Sequence, residues 1–245
     1  MLDVGSWMLV SVGARTSLSY NGRVQTIASG YAITPRCLSH GECDKIAEAL
    51  SAAAISRSRA GIRHLMSNPT VAALAIDDRL IELAKEWLGH VAVPFRATLF
   101  EKSYNTNWLI PWHQDTALPL TKRLDATGWG PWSEKAGATY AHAPACALSR
   151  IIALRVHIDG SNADNGPLRV IPGSHVNGVL TDASVMEYVS AHKQIECLSP
   201  RGGVVAMRPL LIHSSSKARG VEPRRVLHIE YADSLDIGGM QLAVV

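Results

Sequence analysis

The stretch Asp164-Asn165-Gly166-Pro167-Leu168-Arg169-Val170-Ile171-Pro172-Gly173-Ser174-His175 decides how the chain is read. A turn-forming tetrapeptide enters a run of four strand-favouring positions, and a second turn signal, Pro172-Gly173-Ser174, closes it. Outward from there, Val93 to Lys102, Ile151 to Ile158, Gly203 to Met207 and Val226 to Tyr231 are further short β-branched or aromatic runs. No regular helical pattern alternates with them. That argues for a sandwich or barrel rather than a doubly wound parallel sheet.

Helices are expected mainly in the first part of the chain, about 38–90. Ser39 with Glu42 forms a capping box ahead of the apolar positions Ile46 and Leu50, which predicts a helix of three turns. Asp77 or Asp78 caps a second helix whose face is Leu80, Leu83, Ala84, Trp87 and Leu88, with Gly89 as its stop. Between them, Arg57 to Leu65 reads as a short helix or a loop, and Asn68-Pro69-Thr70 as a turn or helix start. Thr181 caps a helix over Asp182 to His192.

The chain has 245 residues, 47% of them in the apolar set, which is enough for one sizeable core and excludes global disorder. Lys and Arg number 24 against 21 Asp and Glu, with no basic run longer than a pair, so a nucleic-acid footprint is not implied. Cys37, Cys43, Cys146 and Cys197 form no CxxC pair, and buried thiols in a reducing, cytoplasmic setting are expected. No signal peptide or membrane-spanning run is read in the sequence. Residues 1–29 are expected to be an N-terminal extension and 30–245 a single domain.

His113-Gln114-Asp115 carries the chemistry. On extended backbone, residues two apart project to the same side, so one short segment aims an imidazole and a carboxylate at one point. With ten histidines in the chain a chance HxD is commonplace, so a third ligand is required. His213, after Leu210-Leu211-Ile212 and before Ser214-Ser215-Ser216, is the best candidate, brought beside His113 at one mouth of a barrel. Two histidines and a carboxylate leave coordination positions open, as in non-haem Fe(II) oxygenases, although zinc hydrolases use similar sets. Arg224 opens a strand pattern past His213 and could grip a carboxylate bidentately. A dicarboxylic keto acid chelating iron at one end needs such a grip at the other, and Ser215 could add a hydroxyl.

The segments Phe100-Glu101-Lys102-Ser103, Asn107-Trp108, Trp112-His113-Gln114-Asp115, Asp164 to His175, and His213-Ser214-Ser215 with Arg224 together resemble the phytanoyl-CoA dioxygenase family. The resemblance spans roughly Gly30 to Asp233. It implies a double-stranded β-helix, the cupin-like jelly-roll, mainly β with helices packed on one sheet. It implies Fe(II) held by His113, Asp115 and His213, and 2-oxoglutarate held by Arg224 and Ser215, with Thr98 and Lys102 lining the cosubstrate pocket. Away from the family, those last two read as an ordinary strand residue and a solvated lysine. The activity implied is O2-dependent hydroxylation of an unactivated C–H in a small molecule, with release of succinate and CO2. Asp115 favours that outcome, since related halogenases carry a small residue there.

Other readings of the same residues are a metal-dependent hydrolase or isomerase on a cupin-like barrel, and a non-catalytic binding protein. A serine hydrolase built on Ser214 to Ser216 with His213 fails on geometry, because adjacent residues cannot present base to nucleophile. Thr116 to Ala145 shows no regular pattern and reads as a long loop, in which Trp129 and Trp132 are candidate lid or substrate residues and His142 a candidate substrate contact. Gln114 should point away from the ligands. His157, His175 and His228 read as structural, while Arg155 and Arg169 are candidates to meet an anion.

Overall fold

The computed structural model describes residues 27–52, 61–103 and 106–245. Most of the expected extension, 1–26, and residues 57–60 of the segment after the first helix lie outside them. In chain order the strands that matter are β1 (Tyr31–Thr34), β2 (Val93–Lys102), β3 (Ile110–His113), β4 (Ala117–Leu120), β5 (Trp132–Lys135), β6 (Ala138–His142), β7 (Ile151–His157), β8 (Leu168–Val170), β9 (Ile195–Cys197), β10 (Val204–Met207), β11 (His213–Ser215) and β12 (Arg224–Ala232). The helices are α1 (His40–Ala52), α2 (Pro69–Ala75), α3 (Asp78–Leu88), α4 (Ala145–Leu148) and α5 (Asp182–Ala191).

Two antiparallel sheets form the body. One has the order β1-β10-β7-β12-β2 and the other β3-β11-β8-β9, the strand arrangement of a jelly-roll. Along β12 the pairing sets Arg224 opposite Lys102, Val226 opposite Phe100, His228 opposite Thr98 and Glu230 opposite Arg96. Because side chains alternate across a strand, that polar set shares one face. The other face carries Ala97, Leu99, Leu154, Val156, Leu227, Ile229 and Tyr231, on which the first three helices pack with Cys43, Ile46, Leu50, Val71, Leu74, Leu80, Ala84 and Trp87. Each fully buried Leu or Ile there contributes about 1.5–3 kcal/mol. The Tyr231 hydroxyl, deep in that layer, donates to the Ala75 carbonyl at 3.0 Å.

Local signals explain the helix ends. Ser39 and Glu42 satisfy one another's backbone N–H groups at the start of α1. Asn68 accepts from Thr70 and Val71 at the start of α2, Asp77 caps α3, and Thr181 accepts from Ser184 at the start of α5. The Gly61–Ile62 segment is not helical: Ile62 forms an isolated bridge to Leu99.

Three features differ from the sequence reading. Thr116 to Ala145 is not a patternless loop but holds the three-stranded sheet β4-β6-β5 and the start of α4. Its strands are held by cross-strand pairing, such as Trp132 with Ala141, which leaves little period in a four-residue segment. In addition to the three helices on the large sheet, α5 lies against the smaller one, where Val185 and Val189 pack on Ile171 and Ile212. Cys43 and Cys197 are buried as expected, but Cys146 is exposed, because Ala147 and Leu148 take the inward positions of α4. No helix among the described residues is long and apolar enough to cross a membrane.

Candidate active site

His113 and His213 are direct partners across the β3–β11 ladder, and their ring centroids lie 4.2 Å apart. The Nδ1 of each sits 2.9 Å from a carbonyl two residues back, that of Pro111 for His113 and of Leu211 for His213. A carbonyl only accepts, so Nδ1 carries the proton in both rings and Nε2 presents its lone pair to the centre. Asp115 follows β3, its N–H bonded to the Pro209 carbonyl at 2.9 Å. Its carboxylate oxygens stand 3.6 Å from His113 Nε2 and 3.5 Å from His213 Nε2.

These three residues each offer a ligand atom within 4.8 Å of the others and could hold a metal ion. Burial opposes ionisation of Asp115, but the adjoining His213 and His113 imidazoles win, holding its carboxyl well below the usual range. Burial and the His113 neighbour push His213 down to about 4, so it is the neutral imidazole a metal needs. Gln114 turns the other way, donating to the Gly178 and Leu210 carbonyls and accepting from the Leu180 N–H.

A second centre lies along the inner face. Arg224 is 1% exposed, and its Nε and Nη1 atoms have no partner among the described residues. Its Nη2 donates to Ser215 Oγ at 3.3 Å, and that hydroxyl lies 2.8 Å from the Gly166 carbonyl. Lys102 is fully buried, donating to Ser215 Oγ at 2.7 Å and to the Ser216 carbonyl, which rules out the solvated reading. Burial, with repulsion from Arg224 and then Arg155, lowers Lys102 to about 7; burial and Arg155 lower Arg224 to about 9. A buried cation with idle donors is costly unless an anion completes it, so this nest fits the distal carboxylate of a keto acid. Gly166 is required here: its φ is +68°, and a Cβ would stand 2.4 Å from the Ser216 carbonyl oxygen and 3.0 Å from Lys102 Nζ.

Arg155 bridges the two centres. It is 4% exposed, its Nη1 lies 3.0 Å from His228 Nδ1, its Nε has no partner among the described residues, and its guanidinium sits over the Phe100 ring. Arg169 instead lies over Trp112 at 5.1 Å. A cavity of about 280 Å³ opens beside His113 and Asp115; Thr98 and His142 both line it. The structure seats Trp129 and Trp132 elsewhere, against the apolar cluster of Leu118, Ala141 and Leu148, with Arg123 over the Trp132 ring. Neither indole is among the cavity-lining side chains, and the candidate lid is a packed hairpin wall in this structure. His175 packs closely on Gly30, where a Cβ would lie 2.4 Å from its Nδ1.

Sequence reasoning missed Arg96, Phe100 and Glu230 as cavity residues and read His228 as merely structural. The signal was available, since Arg96 and Phe100 alternate with Thr98 and Lys102 in β2, and His228 and Glu230 with Arg224 in β12. Lys135, Tyr140 and Arg63 had no such signal.

Sheet topology and site together define a jelly-roll protein with a cluster of two histidines and one carboxylate that could hold a metal ion, beside a buried cationic nest. The chain belongs to the phytanoyl-CoA dioxygenase (PhyH) family, whose model matches residues 28–226. It is 26% identical over 178 residues to L-proline trans-4-hydroxylase of Streptomyces griseoviridis, covering 62% of this chain and 59% of that protein. This chain therefore aligns with less than two thirds of that relative's length. The fold is similar to EctD from S. alaskensis with bound Fe, with a TM-score of 0.63, 21% identity and coverage of 84% of this chain and 73% of that one. It is also similar to HygX from Streptomyces hygroscopicus with nickel and 2-oxoglutarate bound, at TM-score 0.62 and 15% identity over 85% and 84% of the two chains.

Proposed function

We propose that this protein is an Fe(II)- and 2-oxoglutarate-dependent dioxygenase that hydroxylates an unactivated C–H bond of a small molecule. The observation that carries the reading is the pairing of the His113, Asp115 and His213 cluster on the smaller sheet with the buried Arg224–Lys102 nest on the larger one. A hydrolase would use the first and have no need of the second.

His113, Asp115 and His213 would hold the iron, and Arg224, Ser215 and Lys102 the far carboxylate of 2-oxoglutarate. Bound there, the pair supplies the oxidation, in which the keto acid is converted to succinate and CO2 with dioxygen and the substrate gains a hydroxyl. The chain supplies order around it. The Pro111 and Leu211 carbonyls fix both imidazoles in the ligating tautomer. Ser215, anchored on Gly166, aims the cationic nest. Phe100, packed against Trp108 and the edge of His228, contributes an apolar wall that limits water.

The test is an anaerobic titration of metal-free protein with Fe(II) and then 2-oxoglutarate, following the visible charge-transfer band of chelated keto acid. A saturable band at one iron per chain, lost in His213→Ala, is the expected result. Tight metal binding without a band would move the assignment to a metallohydrolase or isomerase, and no metal binding to a non-catalytic binding protein.

A further inference from the structure

We infer that the wall of the cavity facing the metal cluster is a carboxylate-binding subsite, formed by Arg63 and Lys135 around Tyr140, and that the substrate is a small carboxylic acid. The inference rests on the oxygenase reading and names the substrate class of that same site.

The charges lining the cavity are Arg63, Arg96 and Lys135 against Asp115 and Glu230. Two of the five are already matched: Arg96 clamps Glu230 through both Nε and Nη2. Asp115 belongs to the metal cluster. Arg63 and Lys135 remain, and neither makes an ion pair with a carboxylate among the described residues. Lys135 is half-buried, with its ammonium 5.0 Å from the centre of the Tyr140 ring. Burial, then Arg96 and Arg63, disfavour its charge and outweigh the opposing pull of Asp115, the carboxylate of the metal cluster.

The wall is also braced. Arg96 lies 5.7 Å and Lys135 5.0 Å from the centre of the Tyr140 ring. The His64 ring stacks on it at a 14° interplanar angle, and His64 Nε2 is 2.9 Å from the Tyr140 hydroxyl. To reach that position His64 adopts left-handed backbone, φ +62°. Strain of that kind persists only where the surroundings over-determine it, and it concentrates at ligand sites. Lys135, held over that braced tyrosine, and the exposed Arg63 line the same cavity as His113 and Asp115.

Size limits the ligand. A volume of about 280 Å³, at the lower end for small-molecule pockets, suits a molecule of amino-acid or hydroxy-acid size. A carboxylate on Arg63 and Lys135 would tether one end of such a molecule while its oxidisable carbon lies towards His113 and Asp115. Thr116 and His142, paired at 2.7 Å on the same lining, offer polar contacts between the two ends.

The experiment uses the full chain loaded anaerobically with Fe(II) and 2-oxoglutarate. Once the keto-acid band has formed, it is titrated with a panel of L-amino acids, 2-hydroxy acids and simple aliphatic acids, each beside its primary amide. The expected result is at least one acid that shifts the band and binds tenfold or more tightly than its amide. Arg63→Gln and Lys135→Gln should each remove most of that preference and leave the band on 2-oxoglutarate addition unchanged. A normal band with no acid favoured over its amide, or with a preference that survives in the double variant, overturns the carboxylate subsite alone. Failure of the band to form overturns the oxygenase reading and this inference with it.

Discussion

Arg224 and Lys102 stand directly opposite one another in the β12–β2 ladder, two buried cations that share the Ser215 hydroxyl as a partner. Like charges at directly paired strand positions destabilise a sheet, so the arrangement is costly until an anion binds.

The first prediction follows from that cost. Arg224→Ala should weaken 2-oxoglutarate binding by about 2–4 kcal/mol, roughly 30- to 1,000-fold, as for removal of one partner of a buried charge pair. Iron binding should be little changed. Arg225→Ala is the control, because Arg225 faces the other way and pairs with Asp159 at 2.8 Å. Calorimetric titration of both variants decides the matter, and equal affinities would show that the anchor lies elsewhere.

Lys102 gives a pH dependence of definite sign. Its folded pKa, near 7, is below the ordinary lysine value of 10.5, so the unfolded chain holds the proton more tightly. Ligand-free protein should therefore gain stability as pH rises from about 7 towards 10.5, while 2-oxoglutarate affinity falls above about 7 as the ammonium is lost. Both slopes should flatten in Lys102→Met. Denaturant melts and binding constants measured across that window would contradict the assignment if the variant kept the wild-type slopes.

Metal binding should be visible in stability as well as in colour. At a free Fe(II) concentration one hundred times its dissociation constant the folded state gains about 2.7 kcal/mol. Asp115→Ala or His213→Ala should abolish that gain in anaerobic thermal melts. An undiminished iron-dependent shift in either variant would place the metal at other residues.

Arg96 and Glu230 form a buried ion pair under the cavity, with side-chain exposures of 13% and 2%. Glu230→Ala leaves the guanidinium uncompensated and should cost about 3–5 kcal/mol in chemical denaturation. Pairing Arg96→Met with Glu230→Leu should cost much less than the two single changes added together. Additive losses would mean that the pair is not coupled.

Gly166→Ala tests the turn that seats the cosubstrate nest. Its positive φ and the 2.4 Å approach to the Ser216 carbonyl predict a loss of about 1–3 kcal/mol. Because Lys102 and Ser215 share that contact, 2-oxoglutarate affinity should fall with stability; a melt shift with unchanged affinity would separate the turn from the pocket.

The sequence by itself determined the strand and helix positions whose signals are local. The caps at Ser39, Asn68, Asp77 and Thr181 and the runs that became β2, β7, β8, β10 and β12 were all readable, because capping and alternation are short-range physics. It also picked out His113, Asp115, His213 and Arg224, since an HxD segment, a distant histidine and a strand-opening arginine form an ordered pattern. What only the tertiary structure decided is what those residues face. That Lys102 is buried against Ser215 and Ser216, that Trp129 and Trp132 turn onto an apolar cluster, and that Arg63, Lys135 and Tyr140 line one cavity with His113 and Asp115 all depend on contacts between segments far apart in the chain. Such contacts come from strand pairing across two sheets, whose partners are set by the packing of the whole core, and no local period in the sequence carries them.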